Sequence, residues 1–581
     1  MTSAPYPAVL DFDRALGDPD DAGRLFSYAR CGALDDREEF PVEICRELDF
    51  LGLPRHYVPA AYGGSLHRYD EVLQLMRAVA RRDLTVAIAH GKTFLGAVSV
   101  WVGGSEEQAR ELGRLVADGT VVSWGLTERD HGSDLLAGEV AARREPDGGY
   151  RLTGEKWLIN NANRGQRICV LARTGEQGGA RAYSLLMVDK QSLRGDTYRP
   201  LPAVKLHGIR GADISGIAFT DAPVPAAALI GAEGGGAETV LKSLQLTRTL
   251  CAALSLGAAD QALGLAAGFA LERHAYGSRL IDLPQTRHLI ARSYADVLLA
   301  EATTLVAGRA IHALTGELSV VSAVTKYFVP TLVDQVVSRL STVLGARSLL
   351  VGDTFEHGRF QKVQRDHRIV SIFDGNTVVN LHSLVNQFPQ LARQARRGEV
   401  DRLGVEEAAT LTAELPDFDR ERLSLLPRPG GSIVLSLADG VAELAELARQ
   451  GVVPDSLARN AEAIAAVAGE VGTAMAAHRP VATDVPVAAF SLAERYARCF
   501  AASAAIQLWL RNHATAGADH PLWQGGLWLE AVLVRLLDQL LPGRPDTDGD
   551  VLERLVPVLI EQQGRGDLPS LLTHPLVKGR S

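Results

Sequence analysis

The spacing of apolar residues changes twice along this chain, and these changes constrain its fold more than any other feature. Up to about residue 118 the apolar residues recur every three or four positions, as in YDEVLQLMRAVARRDLTVAIAHGKTFLG, which is typical of helices. From about residue 119 to 230, short runs of Val, Ile, Leu, Tyr and Thr alternate with Gly, Asp and Pro, which is typical of strands. The helical spacing returns from about residue 237. The sequence therefore predicts a mainly α protein with a central β-domain (α+β).

The same pattern divides the chain, whose 581 residues are too many for one hydrophobic core. We expect an N-terminal helical domain at residues 1–118, a middle β-domain at 119–232 and a helical bundle at 233–395, where many Ala and Gly residues allow close helix packing. Residues 396–432 are charged and then rich in Pro and Gly, which is typical of a linker. Residues 433–581 carry long apolar helical stretches and should form an additional packed helical domain.

Composition disfavours several functional classes. A net charge of -9 provides no basic face, so nucleic acid is not an expected partner. The N-terminal residues are acidic where a signal peptide is basic, and no uninterrupted apolar run has the length of a membrane span. We therefore expect a cytoplasmic protein that does not contact a membrane.

The cysteines and histidines give no sign of a metal site. The five cysteines are far apart, form no CxxC motif and have no His at metal-ligand spacing. The 15 histidines form no HExxH motif. We expect no metal, and we expect the thiols to be reduced, buried and inert; they are Cys31, Cys45, Cys169, Cys251 and Cys499.

A short turn in the second helical region carries an acidic residue. Residues 368–380, RIVSIFDGNTVVN, place Asp374 between two apolar runs. Asp-Gly-Asn is ordinary turn chemistry, because Gly tolerates any backbone region and Asp and Asn bond to their own backbone. Taken alone, the motif favours a structural role for Asp374.

Six segments, in order and in register, give the chain a resemblance to the acyl-CoA dehydrogenase superfamily over roughly residues 45–395. Each segment is a weak signal alone, and together they are a strong one. The segments are VPAAYGG (58–64), VVSWGLTERDHGSD (121–134), YRLTGEKWLINNA (150–162), KLHGIRGADISGIAFTDAPVPAAALIGAEGGG (205–236), LERHAYGSRLIDLPQTRHLIA (271–291) and QRDHRIVSIFDGNT (364–377). The resemblance implies an N-terminal helical domain, a middle β-barrel and a four-helix bundle, with FAD as cofactor and an acyl thioester as substrate, borne on coenzyme A or on an acyl carrier protein.

The resemblance also implies a reaction and its base. In this family a carboxylate removes the α-proton while the β-hydrogen leaves as hydride to the flavin, so few protein groups are needed. The family turn has Glu between an aromatic residue and Gly, which here correspond to Asp374, Phe373 and Gly375. Asp374 would be the base, while Phe373 and Gly375 would lie against the substrate. Arg248 would contact the thioester end of the substrate or brace the turn, and Thr247 occupies the place of an alternative base found in some members.

Further matches imply residues that bind FAD. Trp124, Leu126 and Thr127 would line the isoalloxazine ring. Gly132 and Ser133 would form a turn that receives the pyrophosphate, because backbone amides in such a turn suit an anion.

Two positions in the next strand differ from the family pattern. The usual Trp lies two residues after the Lys of GEK, whereas Trp157 lies one residue after it and Leu158 takes the usual place. Asn160 stands where a Thr often contacts the flavin, and an Asn side chain can still donate a hydrogen bond. We assign Trp157 and Asn160 to the cofactor.

The remaining cofactor matches imply contacts across a subunit interface. Arg273 corresponds to an Arg that binds FAD phosphates with its planar guanidinium, and Tyr276 and Gln285 lie in the same region. Gly345 stands in LGARSLL where a Gly-Gly-x-Gly turn is usual, and Asn376 in the DGNT turn is also assigned to the cofactor. A homo-oligomer follows, and a dimer is favoured because the additional C-terminal block would cover the surface used for tetramer contacts.

Three functions fit these matches. The leading hypothesis is a dehydrogenase that passes electrons to an electron-transfer flavoprotein. The second is an acyl-CoA oxidase that uses oxygen, because oxidases often have Glu-Gly-Asp-Asn-Thr at this turn and also carry extra C-terminal helices. The third is a degenerate member that binds a thioester without catalysis.

Overall fold

The computed structural model describes most of the chain, which forms two compact units. The described residues are 6–176, 178–481, 484–516, 520–543 and 549–578. The sheet unit contains residues 25–67 and 83–247, and the bundle unit contains residues 1–24, 68–82 and 248–581. Part of the expected N-terminal helical domain therefore belongs to the same unit as the bundle.

The sheet unit combines helices with one sheet. Its helices are α2 (Tyr28–Asp36), α3 (Val42–Phe50), α5 (Leu84–Gly103), α6 (Glu106–Ala117) and most of α7 (Gly236–Leu250). Its strands are β1 (Val122–Gly125), β2 (Ala141–Arg144), β3 (Tyr150–Asn160), β4 (Arg167–Arg173), β5 (Tyr183–Asp189), β6 (Tyr198–Leu201), β7 (Ile214–Val224) and β8 (Leu229–Ile230). The fold class predicted from residue spacing, mainly α with a central β-domain, is confirmed.

The strands form one sheet in the order β6-β7-β3-β2-β4-β5-β8, with β1 pairing beside β4. β1 runs parallel to β4, whereas β3 and β7 form a long antiparallel pair with two register shifts. One of these shifts places Leu158 in a left-handed bulge with φ 56°. Buried Val, Ile, Leu and Phe side chains on these strands form the core of the sheet.

The bundle unit is almost entirely helical. Its helices are α1 (Pro7–Leu16), α4 (Tyr69–Arg82), α8 (Ala252–Glu272), α9 (Pro284–Ala313), α10 (Leu318–Leu344), α11 (Arg359–His367), α12 (Thr377–Arg397), α13 (Arg402–Ala409), α14 (Ser432–Leu435), α15 (Leu437–Arg449), α16 (Asp455–Ala477), α17 (Val487–Asn512), α18 (Leu527–Leu540) and α19 (Gly549–Arg565). A small hairpin of β9 (His274–Ala275) and β10 (Ser278–Arg279) lies between α8 and α9.

A buried network of charges explains why α4 belongs to the bundle unit. The Arg77 guanidinium donates to both carboxylate oxygens of Asp260 at 2.7 and 2.8 Å and to Glu301. Glu301 is fully buried and also accepts hydrogen bonds from the Ser570 hydroxyl and from the Leu571 amide, the latter at 2.8 Å. Because buried charges require partners, these contacts fix both α4 and the last described segment of the chain against α9.

The stretch expected to be a linker, residues 396–432, is packed. Arg309 is fully buried, and its guanidinium donates to the backbone oxygens of Glu407 and Ala413 at 2.9 Å each. The buried Glu317 carboxylate accepts from the amides of Gly430 and Ser432 at 2.8 and 2.9 Å. The backbone of this stretch thus provides hydrogen-bond partners for two buried charged side chains. Its charged and Pro/Gly-rich composition gives no sign of these contacts.

Within the part of the chain that the structure describes, three helical stretches are long and apolar enough to cross a membrane by length and composition, although the sequence has no uninterrupted apolar run of that length. Between 78% and 89% of their most apolar windows is buried inside the protein. Their apolar surface is therefore used in packing. The stretches are Leu84–Gly103, Gly236–Glu272 and Thr315–Leu349.

Candidate active site

Asp374 lies at a sharp turn between α11 and α12. Its φ is 56° and that of Gly375 is 92°, so two successive residues have left-handed backbone. Asp tolerates this region better than most residues, and Gly tolerates it freely. The Asn376 side chain accepts a hydrogen bond from the Val379 amide at 2.9 Å and caps α12. The turn residues thus fit the backbone, and Asn376 has a structural role there.

Arg248 braces this turn. Its Nε donates to the backbone oxygen of Asp374 at 2.8 Å, and the side chain is buried. A Cβ added to Gly375 would lie 2.8 Å from Arg248 Nη2, so Gly375 allows the guanidinium to approach. Burial lowers the pKa of Arg248, while Asp374 and Cys251 act in the opposite direction. Of the two roles considered for Arg248, the structure shows the contact that braces the Asp374 turn.

Lys326 on α10 holds the same turn from within the bundle. Its ammonium donates to the backbone oxygens of Val370 at 2.6 Å and Gly375 at 3.2 Å, and the residue is only 2% exposed. The ammonium also lies 5.4 Å from the centre of the Phe373 ring, a cation–π distance. One buried cation therefore contacts both sides of the peptide segment that carries Asp374. Residue spacing gave no signal for this role, because its partners are backbone oxygens.

Cys251, between α7 and α8, contacts the carboxylate. Its Sγ lies 3.5 Å from Asp374 Oδ2, and the residue is 4% exposed. None of the five cysteines, all of which the structure describes, is in a disulfide, and four are buried while Cys45 is half-buried. The expectation that each thiol is inert overlooks the contact of Cys251 with Asp374.

A row of Ser255, His367 and Asp334 lies where α11 ends, with Ser255 and His367 buried and Asp334 half-buried. His367 Nε2 is 2.9 Å from Ser255 Oγ, and His367 Nδ1 is 2.7 Å from Asp334 Oδ1. Ser255 is fully buried, so its hydroxyl is closed to a substrate. The row therefore joins α11 to α8 and α10 rather than forming a nucleophile.

The predicted flavin-lining residues lie at the end of β1 and just beyond it. Trp124, Leu126 and Thr127 are each half-buried. The buried Nε1 of Trp124 has no hydrogen-bond acceptor among the residues that the structure describes. The Thr127 backbone oxygen accepts from the Trp157 amide at 3.0 Å. An unpartnered indole N–H beside half-buried apolar side chains fits a planar polar ring system.

A buried ion pair contacts the segment of Trp124, Leu126 and Thr127, which we call the Trp124 strip. The Lys156 ammonium donates to Glu128 Oε1 at 2.7 Å and to the Leu126 backbone oxygen at 3.0 Å. Glu128 also accepts from the amides of Glu139 and Val140 at 2.7 and 3.1 Å. Burial raises the pKa of Glu128, but Lys156 and the two amides outweigh it and hold that pKa below its ordinary value. Sequence reading missed both members of this pair.

The other residues assigned to the cofactor in the sheet unit lie in the turn after β1 and on β3. Gly132 has φ 54° and open space where a Cβ would lie, and Ser133 is exposed, so this turn is free to receive an anion. Trp157 is half-buried beneath the Arg129 guanidinium, 4.3 Å from its ring. Asn160 is half-buried on β3. Together with the Trp124 strip, these residues fit FAD.

The residues assigned to contacts across a subunit interface are exposed. Arg273 and Gln285 are exposed, and Tyr276 is 95% exposed at φ 54° in the turn of the small hairpin. Gly345 ends α10 with φ 59°. These side chains are free to meet groups from outside their own chain.

The fold is that of a largely helical protein with a central sheet, and its half-buried Asp374 turn is held by Arg248 and Lys326. Family models for the acyl-CoA dehydrogenase N-terminal, middle and C-terminal domains match residues 28–120, 123–222 and 234–387. The chain belongs to the acyl-CoA dehydrogenase family. Membership confirms two predictions made from the six segments, namely a flavoprotein oxidoreductase and FAD as its cofactor.

Individual relatives agree with this assignment. Probable acyl-CoA dehydrogenase YngJ of Bacillus subtilis is 30% identical over 278 residues, which cover 47% of this chain and 71% of YngJ. Probable acyl-CoA dehydrogenase FadE25 of Mycobacterium tuberculosis is 27% identical over 60% of this chain and 87% of FadE25. A crystal structure of an acyl-CoA dehydrogenase from Bacillus anthracis, complexed with FAD, matches with a TM-score of 0.68 and 19% identity, and covers 96% of this chain and 95% of its own. That fold similarity extends into the C-terminal helices.

Proposed function

We propose that this protein is an FAD-dependent dehydrogenase that introduces an α,β double bond into an acyl thioester borne on coenzyme A or on an acyl carrier protein. Bound FAD supplies a hydride acceptor for the β-hydrogen. Asp374 takes the α-proton. The observation that carries this proposal is the Asp374 turn, whose backbone is held by Arg248 and Lys326.

A fixed turn matters because Asp is one methylene shorter than the Glu of the family. A general base must lie within hydrogen-bond reach of the proton it removes, and a misplacement of about 1 Å can cost on the order of 10²-fold in rate. The left-handed backbone at Asp374 and Gly375 and the two braces fix where the short carboxylate begins.

The test is anaerobic reduction of the purified flavoprotein by a panel of acyl thioesters, followed by admission of air. We expect the flavin of the parent to be reduced by at least one thioester and to be reoxidised slowly by oxygen. Asp374→Asn should bind FAD and thioester but fail to reduce, because an amide cannot accept the proton. An Asn variant that reduces its flavin at the parent rate would refute the assignment.

The same experiment separates the rival functions. Rapid reoxidation by air indicates an oxidase, and absence of reduction by every thioester leaves a binding protein. We propose an electron-transfer flavoprotein as the acceptor, and a cytoplasmic homodimer that does not contact a membrane or nucleic acid. The exposed Arg273, Tyr276 and Gln285 support contacts with a second copy.

A further inference from the structure

A cavity in the sheet unit is lined by none of the residues assigned above to the cofactor or to the base. Its volume is about 150 Å³, and it opens between α3, α5 and the segment that leads into β1. Val121 lines it just before β1 begins, whereas the Trp124 strip lies at the end of that strand and beyond it. A cavity of this size in another protein holds benzene, so the space suffices for a small organic molecule.

Two guanidiniums line this cavity. Arg46 on α3 and Arg164 after β3 are both exposed, and among the residues that the structure describes neither has a carboxylate within ion-pair distance. The Arg164 guanidinium lies 3.9 Å from the centre of the Phe40 ring, which also lines the cavity. A guanidinium that is stacked on an aromatic face keeps the N–H groups at its edge for a planar anion.

The polar wall of the cavity is held by its own hydrogen bonds. His90 on α5 is buried, with Nδ1 2.7 Å from the Tyr57 hydroxyl oxygen and Nε2 3.0 Å from Asp49 Oδ1. A carboxylate oxygen accepts, so His90 Nε2 donates to Asp49. Of the described residues that line the cavity, only Asp49 carries a carboxylate, so the two guanidiniums give the lining an excess of positive charge.

The remaining lining does not oppose an anion. Burial and the nearby Asp49 charge raise the pKa of Cys45 to about 12, so this thiol stays neutral at pH 7. Most of the other side chains are apolar and lie deeper than the exposed guanidiniums, which favours a ligand with a charged end and an apolar body. They include Pro54, Ala89 and Val116.

We propose that this cavity binds a small organic carboxylate. Arg46 and Arg164 hold the carboxylate group, and an apolar body no larger than about a benzene ring lies against Pro54, Ala89 and Val116. The inference goes beyond the proposed function and does not depend on it, because the cavity and the Trp124 strip lie at opposite ends of β1.

The first test is calorimetric titration of the FAD-loaded protein with sodium benzoate. We expect a Kd of about 1 mM or lower, and Arg46→Ala and Arg164→Ala should each raise it about 10-fold or more, because each removes a charged hydrogen-bond donor. Arg199→Ala is the matched control, since Arg199 is an exposed residue of β6 that does not line the cavity. Absence of binding at millimolar benzoate, or the same change in all three variants, overturns the inference.

Three further ligands test the two halves of the site. Benzyl alcohol keeps the ring without the charge, inorganic phosphate keeps a charge without the ring, and 2-naphthoate keeps the carboxylate on a body that is too large. Each should bind about 10-fold or more weakly than benzoate. Phosphate that binds as tightly as benzoate would show that the apolar wall contributes nothing, and naphthoate of equal affinity would show that the cavity is not the site.

The Cys45 thiol reports where benzoate binds. It lines the cavity and is half-buried, so benzoate should slow its alkylation by iodoacetamide, located by mass spectrometry of the peptides. The absorbance spectrum of the bound flavin should stay unchanged, because the cavity lies away from the Trp124 strip. A changed flavin spectrum with unprotected Cys45 would place benzoate beside the flavin and overturn the inference.

Discussion

At the scale of single residues, the active-site turn depends on a glycine that has two separate reasons to be there. Gly375 has φ 92°, and an added Cβ would lie 2.8 Å from Arg248 Nη2. Backbone preference and space therefore select the same residue type. The left-handed Asp374 beside it is the kind of uncommon backbone that surrounding contacts have to maintain.

Gly375→Ala should therefore impair both stability and catalysis. We expect a loss of about 1–2 kcal/mol in the free energy of unfolding and at least about a 10-fold slower flavin reduction, because Arg248 and the turn move apart. Gly398→Ala is the control, since Gly398 also has φ 64° but has open space where its Cβ would lie. It should lower stability without changing the rate, as measured by denaturation and stopped-flow absorbance. Equal rate losses in both variants would contradict this account.

Asp374→Glu tests whether a longer carboxylate is accepted. The backbone stays braced at the oxygen of Asp374 by Arg248, so one added methylene extends the base toward the substrate. We expect flavin reduction at the parent rate or faster under anaerobic stopped-flow conditions. A variant as slow as Asp374→Asn would mean that the pocket is built for the shorter residue.

At the scale of elements, two Lys residues join segments that are distant in sequence. Lys326 on α10 bonds backbone oxygens at Val370 and Gly375, and Lys156 on β3 bonds Glu128 and the oxygen of Leu126. In each case a buried ammonium stabilises a segment that carries candidate site residues. The position of a site loop thus depends on the element behind it.

Lys326→Met should leave two backbone oxygens without their donor. We expect a loss of about 2–4 kcal/mol in the free energy of unfolding, since hydrogen bonds to charged groups are worth about 1.5–3 kcal/mol each, and a slower flavin reduction with normal FAD content. Lys190→Met is the control, because Lys190 holds the backbone oxygens of Ala162 and Asn163 in a similar way. Chemical denaturation of both variants, with rates from the same preparations, checks the prediction. Unchanged flavin reduction in Lys326→Met would refute a role for this residue in placing the base.

Glu128 gives a prediction about acid stability. Its pKa is lower in the folded protein than its ordinary value, so its contribution is present above that ordinary value and is lost as pH falls through the folded value. Glu128→Gln should cost about 3 kcal/mol at pH 7, because Lys156 loses its buried partner. The difference from the parent should narrow below about pH 4.5 in denaturation curves measured down to about pH 3. A difference that does not depend on pH would contradict the pairing.

Most of the candidate site residues could be proposed from the sequence, because local motifs mark them. Asp374 could be found from a short turn motif in register with five others, and Gly132 from its turn. Lys326 and Cys251 could not be found in this way, because their partners lie 44 or more residues away and include backbone oxygens that no side-chain pattern encodes. The packed 396–432 stretch was missed for a similar reason, since its contribution to Arg309 and Glu317 is made by the backbone.

At the scale of the whole molecule, each compact unit holds its own set of candidate residues. The sheet unit holds Trp124, Leu126, Thr127 and Ser133, and the bundle unit holds Asp374 with its braces. The exposed Tyr276 hairpin belongs to the bundle unit. Because the family resemblance assigns the exposed Arg273, Tyr276 and Gln285 to contacts across a subunit interface, the bundle unit is where we expect a second copy to bind.

We therefore expect a homodimer. Light scattering of the FAD-loaded protein should give twice the chain mass of 62.2 kDa. Arg273→Ala should lower FAD retention through loss of a phosphate contact by about 10-fold or more, because hydrogen bonds to charged groups are worth about 1.5–3 kcal/mol. A monomer that retains FAD fully, measured by scattering and by absorbance after dialysis, would contradict both expectations.

The buried Glu301 has a consequence for how the protein is made. Two of its hydrogen-bond donors, Ser570 and Leu571, emerge from the ribosome about 270 residues after it. At about 5–20 residues per second, roughly 13 to 54 seconds pass before Glu301 can be fully paired. Throughout that interval the Glu301 carboxylate on α9 lacks two of its hydrogen-bond donors, so its burial is less favourable than in the finished chain. Nascent chains that stop early should therefore remain accessible to proteases, so that degradation removes them while finished chains survive.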